Sequence, residues 1–167
     1  VTYEKKIGNK LLIGRDEWCQ LPALHIPVIK AKIDTGAKTS AIHAFNIETF
    51  HKNHHKYVRF DIHPIQTNDE ILVTCEAPII DTRYIMSSNG HREKRFVIMT
   101  QLKLNNEKWP IEFTLSNRDP LRYRMLLGRE ALGHRVLIDP SLSCHQCRLT
   151  TNDVFKIYQS KNNSSEK

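Results

Sequence analysis

Between Lys30 and Ala41 the chain reads Lys30-Ala31-Lys32-Ile33-Asp34-Thr35-Gly36-Ala37-Lys38-Thr39-Ser40-Ala41, and no other stretch restricts its fold as strongly. Apolar and β-branched residues run into Asp-Thr-Gly and then into small and hydroxylated residues, the way a strand delivers a carboxylate onto a tight turn. Gly36 lets backbone approach closely, the Thr35 hydroxyl can lock the turn, and Asp34 is left pointing outward from a rigid base. An Asp-Thr-Gly turn also arises by chance between strands, so a companion feature is needed. Met125-Leu126-Leu127-Gly128-Arg129-Glu130-Ala131-Leu132 supplies one, an apolar run followed by glycine and a helix start.

The remaining segments read as strands at short spacing. Leu11-Leu12-Ile13 ends at Gly14, and Arg15 to Leu24 reads as a connection that ends in an extended arm. His25 to Ile33 alternates sides and enters the Asp34 turn, and Ala41 to Ile47 is expected to run back along it. Tyr57 to Ile62 places Val58, Phe60 and Ile62 on one face. Ile71 to Pro78, Ile79 to Ile85, Glu93 to Leu104 and Trp109 to Leu115 follow, with Asn89-Gly90 and Asn105-Asn106 as turns. Asp81-Thr82 copies the start of the first turn but has Arg83 where glycine belongs, which argues against a second catalytic aspartate because arginine does not take a positive φ cheaply. Met125 to Gly128 should be buried on both faces, a short helix begins at Arg129 and stops near Gly133, and Val136-Leu137-Ile138 is a last core strand. Such spacing makes an all-β barrel or sandwich with one short helix after Gly128. Residues 1–10 form a polar lead, 11–158 a single domain, and 159–167 a polar tail expected to be disordered.

At 167 residues with 40% hydrophobic content, one domain can bury a real core. Lys and Arg exceed Asp and Glu by 25 − 18 = 7. The cations are scattered with few aromatics between them, so generic nucleic-acid binding is a weak reading and an acidic substrate or partner fits at least as well. No run approaches the ~20 apolar residues of a membrane span. The expected partners therefore include neither nucleic acid nor membrane. Cys144-His145-Gln146-Cys147 has the gap of a zinc knuckle or redox turn, but Cys19 and Cys75 stand alone, and a loop with incidental thiols is the favoured reading. His51, His54 and His55 read as a solvated loop. No metal site and no cofactor is expected. Unpaired thiols favour the cytoplasm, while a sequence that starts at Val1 leaves a preceding export leader open.

The two motifs together, Ile33-Asp34-Thr35-Gly36-Ala37-Lys38-Thr39-Ser40 and Arg122-Tyr123-Arg124-Met125-Leu126-Leu127-Gly128-Arg129, resemble the retropepsin-like family labelled ATP-dependent zinc peptidase and associated with ribosomal-modification glutamate ligases. Glu17-Trp18, Leu21-Pro22, Asp81-Thr82-Arg83 and Ser87-Ser88-Asn89-Gly90 extend the resemblance over roughly Ile13 to Pro140. The chain carries neither a P-loop nor a zinc-peptidase helix. The resemblance implies a closed pepsin-type half barrel with Asp34 at the catalytic position and a substrate rich in glutamate. Thr35, Gly36, Thr39 and Ser40 then support the catalytic turn, and Gly128 and Arg129 are structural. Lys38, Arg83, Ser87, Ser88, Arg122 and Arg124 are the candidate substrate contacts.

Amide hydrolysis of this type needs two carboxylates sharing a proton, because two like charges ~3 Å apart cannot both ionise. One chain offers one such turn, so a homodimer with a two-fold axis between two Asp34 side chains is expected to complete the pair. The hairpin around Asn89-Gly90 is a candidate flap. The function expected is an aspartic-type peptidase acting on peptide or isopeptide bonds of acidic, glutamate-modified substrates. Its rivals are a peptide-binding module without catalysis and a zinc hydrolase using Cys144 and Cys147. For the substrate site, alternation places Arg122 and Arg124 on one face, where paired guanidinium forks could meet carboxylates.

Overall fold

The computed structural model describes residues 4–66, 68–86, 90–117 and 122–165. The elements are β1 (Lys6–Ile7), β2 (Lys10–Ile13), β3 (Asp16–Leu21), a 3-10 turn (Pro22–Leu24), β4 (Ile26–Asp34), β5 (Ser40–His43), β6 (Phe45–Lys52) and β7 (His55–Ile62). β8 (Val73–Met86), β9 (Arg92–Leu104), β10 (Glu107–Ser116), β11 (Met125–Gly128), α1 (Arg129–Leu132), β12 (Val136–Ile138) and α2 (Thr151–Ser165) complete the chain. Among the described residues the protein is mostly β, with β1, β2 and β12 in one small sheet and the other strands in a large one. In the large sheet the pairings run β10–β5–β11–β4–β3–β9 and return from β9 to β10, while β8, β7 and β6 extend from β9. Strand alternation sends Ile29, Ala31, Ile42, Leu102, Phe113, Met125 and Leu127 into one fully buried interior. Each large side chain buried there contributes about 1.5–3 kcal/mol.

Several elements depart from the sequence expectation. β5 does not pair with β4; β11 lies between them, parallel to β4 and antiparallel to β5. Asp16–Leu21 is a strand rather than a connection. Ile71 to Ile85 forms one bulged strand from Val73 rather than two, because Pro78 faces outward and the register simply shifts at Ile80. β12 is a sheet edge instead of a core strand, with Val136 buried but Leu137 and Ile138 exposed. The histidine loop is a hairpin whose tip, Asn53-His54, takes positive φ, and His51, His54 and His55 are exposed.

The tail also differs, since α2 carries the chain in helix to Ser165 where disorder was expected from 159. Reciprocal bonds, Asp153 N–H to Thr150 Oγ1 at 3.1 Å and Thr150 N–H to Asp153 Oδ2 at 2.9 Å, box its N-terminus. Val154 and Tyr158, four residues apart, pack on Val28 and Ile65, and the Tyr158 hydroxyl donates to the Val28 carbonyl.

Two buried carboxylates explain how a charged strand sits inside. Glu17 accepts N–H bonds from Gly14 at 3.0 Å, His145 at 2.8 Å and Gln146 at 2.7 Å. Asp16 accepts from the Tyr123 and Ser143 hydroxyls, both at 2.6 Å, and from Cys144 N–H at 3.3 Å, with Lys30 Nζ 3.9 Å away. These bonds dock the Cys144–Cys147 segment against β3, which accounts for burial of the Cys144 thiol. Burial by itself raises the Asp16 carboxyl, but the Ser143 and Tyr123 hydroxyls, the Lys30 charge and the Cys144 N–H together hold it below its ordinary value.

Close approach fixes β11. A Cβ added at Gly128 would lie 2.8 Å from the Ala37 carbonyl oxygen, 2.9 Å from Thr39 C and 3.0 Å from Lys38 C, all backbone atoms.

Gly128→Ala should therefore lower stability by about 1–3 kcal/mol, as overpacking does, measured by urea unfolding. A variant as stable as the parent would show that the loop yields freely. For Asp16 the folded-state value is depressed, so the unfolded chain binds more protons and the stabilisation is present above about pH 4 and lost as pH falls through the folded value. Asp16→Asn should cost about 1–3 kcal/mol at pH 7, the worth of charge-assisted bonds, and the gap to the parent should narrow below about pH 4. A gap independent of pH between 3 and 7 would contradict this.

Candidate active site

Asp34 is the last residue of β4, level with Gly128 at the end of β11. The residue is half-buried, and its Oδ1 accepts the Gly36 N–H at 3.1 Å. The turn closes through Ala37 N–H to the Asp34 carbonyl at 3.2 Å. From the other side Gly128 N–H donates to Ser40 Oγ at 3.0 Å, and Arg129 N–H to the Ala37 carbonyl at 2.8 Å. The Arg129 guanidinium reaches the carbonyls of Gly36 at 3.1 Å and Thr35 at 3.5 Å. The turn is thus held between a buried hydroxyl and a guanidinium.

The roles expected of the turn residues shift in detail. Thr35 is exposed and enters through its carbonyl, while Ser40, fully buried, adds a side-chain bond to the β5–β11 pairing. Thr39 lies half-buried beside a cavity of about 160 Å³ that Ser40, Glu112, Glu130 and Ala131 also line. Gly36 does not take a positive φ; glycine suits it because a Cβ would stand 3.3 Å from Asp34 Oδ1. Positive φ therefore does not separate the two Asp-Thr pairs; what separates them is that Asp81 lies within β8, paired opposite Val97, and not on a turn.

The candidate substrate cations are offset by carboxylates. Arg83 bonds Asp81 at 3.0 Å and Glu112 at 3.1 Å, which keep its guanidinium protonated even more firmly than usual. Lys38 stands 3.8 Å from Glu130, and Arg124 bonds Asp69 at 2.9 Å. Arg122 and Arg124 precede β11 and are not in a strand, so alternation does not put them on one face. The exposed Arg122 guanidinium lies over the Tyr123 ring, whereas only Arg124 lines the groove beside β5 and β11. Ser87, Ser88 and the Asn89 turn position of the candidate flap lie outside the described residues; the strands leading to them, β8 and β9, pair up to Met86 and Arg92.

Sequence reasoning missed Arg95, which lines the same groove as Arg124. The signal was available in its place opposite Arg83 once the hairpin register is drawn. Among the described residues no group of three His, Cys, Asp or Glu side chains could hold a metal ion. Cys144 is buried and Cys147 exposed, so the two thiols of the Cys144–Cys147 segment do not face a common site.

With this geometry in view, the comparisons are specific. A family model described as RimB-like, retropepsin-like aspartic endopeptidase RimB, matches residues 12–148. A probable alpha-L-glutamate ligase of Desulfotalea psychrophila is 50% identical over 149 residues, covering 89% of this chain and 32% of that protein. One from Shewanella halifaxensis is 50% identical over 146 residues, covering 87% and 31%. The chain thus spans about a third of the length of these relatives. The crystal structure of Lpg0085 from Legionella pneumophila, titled as a protein of unknown function, superposes with a TM-score of 0.65 at 28% identity, covering 79% of this chain and 95% of that one. None of these matches carries the zinc label. A match running from β2 through the Asp34 turn and β11 to the docked cysteine segment means that this chain belongs to the RimB-like family of retropepsin-like proteins.

Proposed function

We propose that the chain is an aspartic-type peptidase in which Asp34 is the catalytic carboxylate and a second Asp34, from another copy, completes the pair. The observation that carries this reading is the clamped turn: a carboxylate fixed by the Gly36 N–H on a loop locked by Ser40 and Arg129. Preorganisation of this kind suits a group that must hold one geometry while a proton moves. The return of strand pairing from β9 to β10 supports a closed half-barrel, and the matching family's description supports the chemistry.

In the proposed reaction one carboxylate of the pair, ionised, takes a proton from water as the water oxygen attacks the amide carbon. The other, protonated, gives its proton to the carbonyl oxygen, and collapse of the tetrahedral intermediate expels the amine with a proton returned. Apparent pKa values would belong to the pair and not to either residue. The relatives' names suggest the substrate: a chain related to glutamate ligases fits peptide or isopeptide bonds in glutamate-modified proteins.

A second reading is favoured by the same names. Within a ligase-related protein, the unit could bind an acidic acceptor peptide without cleaving it, with Asp34 as a turn residue. Hydrolysis separates the two.

Asp34→Asn keeps size and removes ionisation, so cleavage of a glutamate-bearing peptide should fall by at least about a thousandfold, with thermal unfolding little changed. Undiminished cleavage would end the aspartic reading. Specific activity should also drop on dilution through the range where sedimentation shows dimer becoming monomer. Full activity in a demonstrated monomer would mean that a carboxylate within one chain completes the site.

A further inference from the structure

Strand register puts a second feature on the same sheet face as Asp34. Lys32 and Asp34 lie on one face of β4, and across the sheet Lys32 is level with Leu126, Ala41, Thr114 and Val97. One step along that face, away from the turn, is a groove of about 400 Å³. Its walls include Ala41, Leu126 and Ile85, and its polar lining includes Arg95, Arg124, Ser116 and His43; among the described residues two arginines line it and no carboxylate does. Both arginine side chains are mostly buried, each 13% exposed. A charge-bearing groove with apolar walls suits a ligand that has a methylene stem and an anionic end.

Each arginine is at present neutralised from outside the lining. Arg95 Nε and Nη2 donate to Glu93 at 3.2 and 3.1 Å, along its own strand. Arg124 donates to Asp69, whose side chain is 69% exposed and belongs to the segment between β7 and β8. Gln66 of that segment also bonds the Arg122 carbonyl, so the segment is seated on the residues preceding β11. An ion pair with so exposed a partner is weak, because water screens it, and a carboxylate entering the groove can replace it.

Resting on the peptidase reading, the geometry points to Arg95 and Arg124 as a specificity subsite for a carboxylate side chain of the substrate, with Asp69 holding Arg124 in its place until substrate arrives. Arg124 is one residue before Met125, which is level with Ala31, so it stands about four residues, or about 13 Å, along β4 from Asp34. An extended peptide covers that span in about four residues. The carboxylate selected is therefore the one three or four residues from the bond cleaved, and Asp69 tunes how readily it is admitted.

The test is binding of a fluorescein-labelled pentaglutamate peptide and its pentaglutamine counterpart to Asp34→Asn protein, followed by anisotropy at low and raised salt. The glutamate peptide should bind at least about tenfold tighter, as charge-assisted bonds allow, and the preference should shrink with salt. Adding Arg95→Gln or Arg124→Gln should abolish most of it, Arg124→Lys should keep part, and Asp69→Asn should widen it. Circular dichroism checks that each variant is folded, and Arg124→Lys serves if Arg124→Gln is not. A preference unchanged in both Arg95→Gln and the Arg124 variants, or narrowed by Asp69→Asn, would overturn the subsite. Because the assay needs no turnover, it separates the two claims: preference without cleavage by the parent protein sinks the peptidase reading alone, and cleavage without preference sinks the subsite alone.

Discussion

The site depends on one close approach, that of Gly128 to the backbone of Ala37 to Thr39. Three backbone atoms lie where a side chain would begin, so β11 can thread between β4 and β5 only with a hydrogen at that position. Threading brings the Gly128 N–H to Ser40 Oγ and places Arg129 where it holds the Thr35 and Gly36 carbonyls. Strand ends separated by about ninety residues thereby make a single rigid base under one carboxylate. Loop residues seldom have such support, and it is the reason a three-residue turn can present a side chain in fixed geometry.

Much of this was legible in the sequence because both halves of the clamp carry local signals. Ile33-Asp34-Thr35-Gly36 ends an alternating apolar run, and Leu126-Leu127-Gly128-Arg129 joins a buried strand to a helix start, so both elements could be placed. Their mutual arrangement was not legible. A hairpin return is the simplest expectation for β5, and nothing in Ala41-Ile42-His43 reveals that β11 intervenes, since non-local pairing leaves no mark on local periodicity. The strand at Asp16–Leu21 was hidden for another reason. Two adjacent carboxylates have the look of a surface pair, and most of the donors that make their burial tolerable, the Cys144 to Gln146 N–H groups and the Tyr123 and Ser143 hydroxyls, lie more than a hundred residues away. For α2 the signs were present in Thr150, Asp153, Val154 and Tyr158, but its polar composition outweighed them.

Charge was read least well. A net excess of cations suggested a basic cleft, yet charge counts say nothing of pairing. Arg83 and Lys38 are held by carboxylates close to the turn, and Glu112 and Glu130 bring negative charge to the cavity beside Thr39. Arg95 and Arg124 are paired as well, with Glu93 and Asp69, but they line one groove, brought together by the β9–β10–β5–β11 order and not by sequence proximity. The proposed subsite would draw its selectivity from the Arg95 and Arg124 guanidiniums more than from the field of the whole surface.

Everything in the catalytic account rests on a pair of carboxylates drawn from two copies of one turn. A crystal structure of the active species with a non-cleavable peptide measures this directly, as the separation of the two Asp34 carboxylates. The account predicts two Asp34 side chains within about 3 Å of each other across a two-fold axis, with the peptide carbonyl between them. Asp34 carboxylates facing solvent, or separated by about 10 Å or more while the peptide is bound elsewhere, would contradict it.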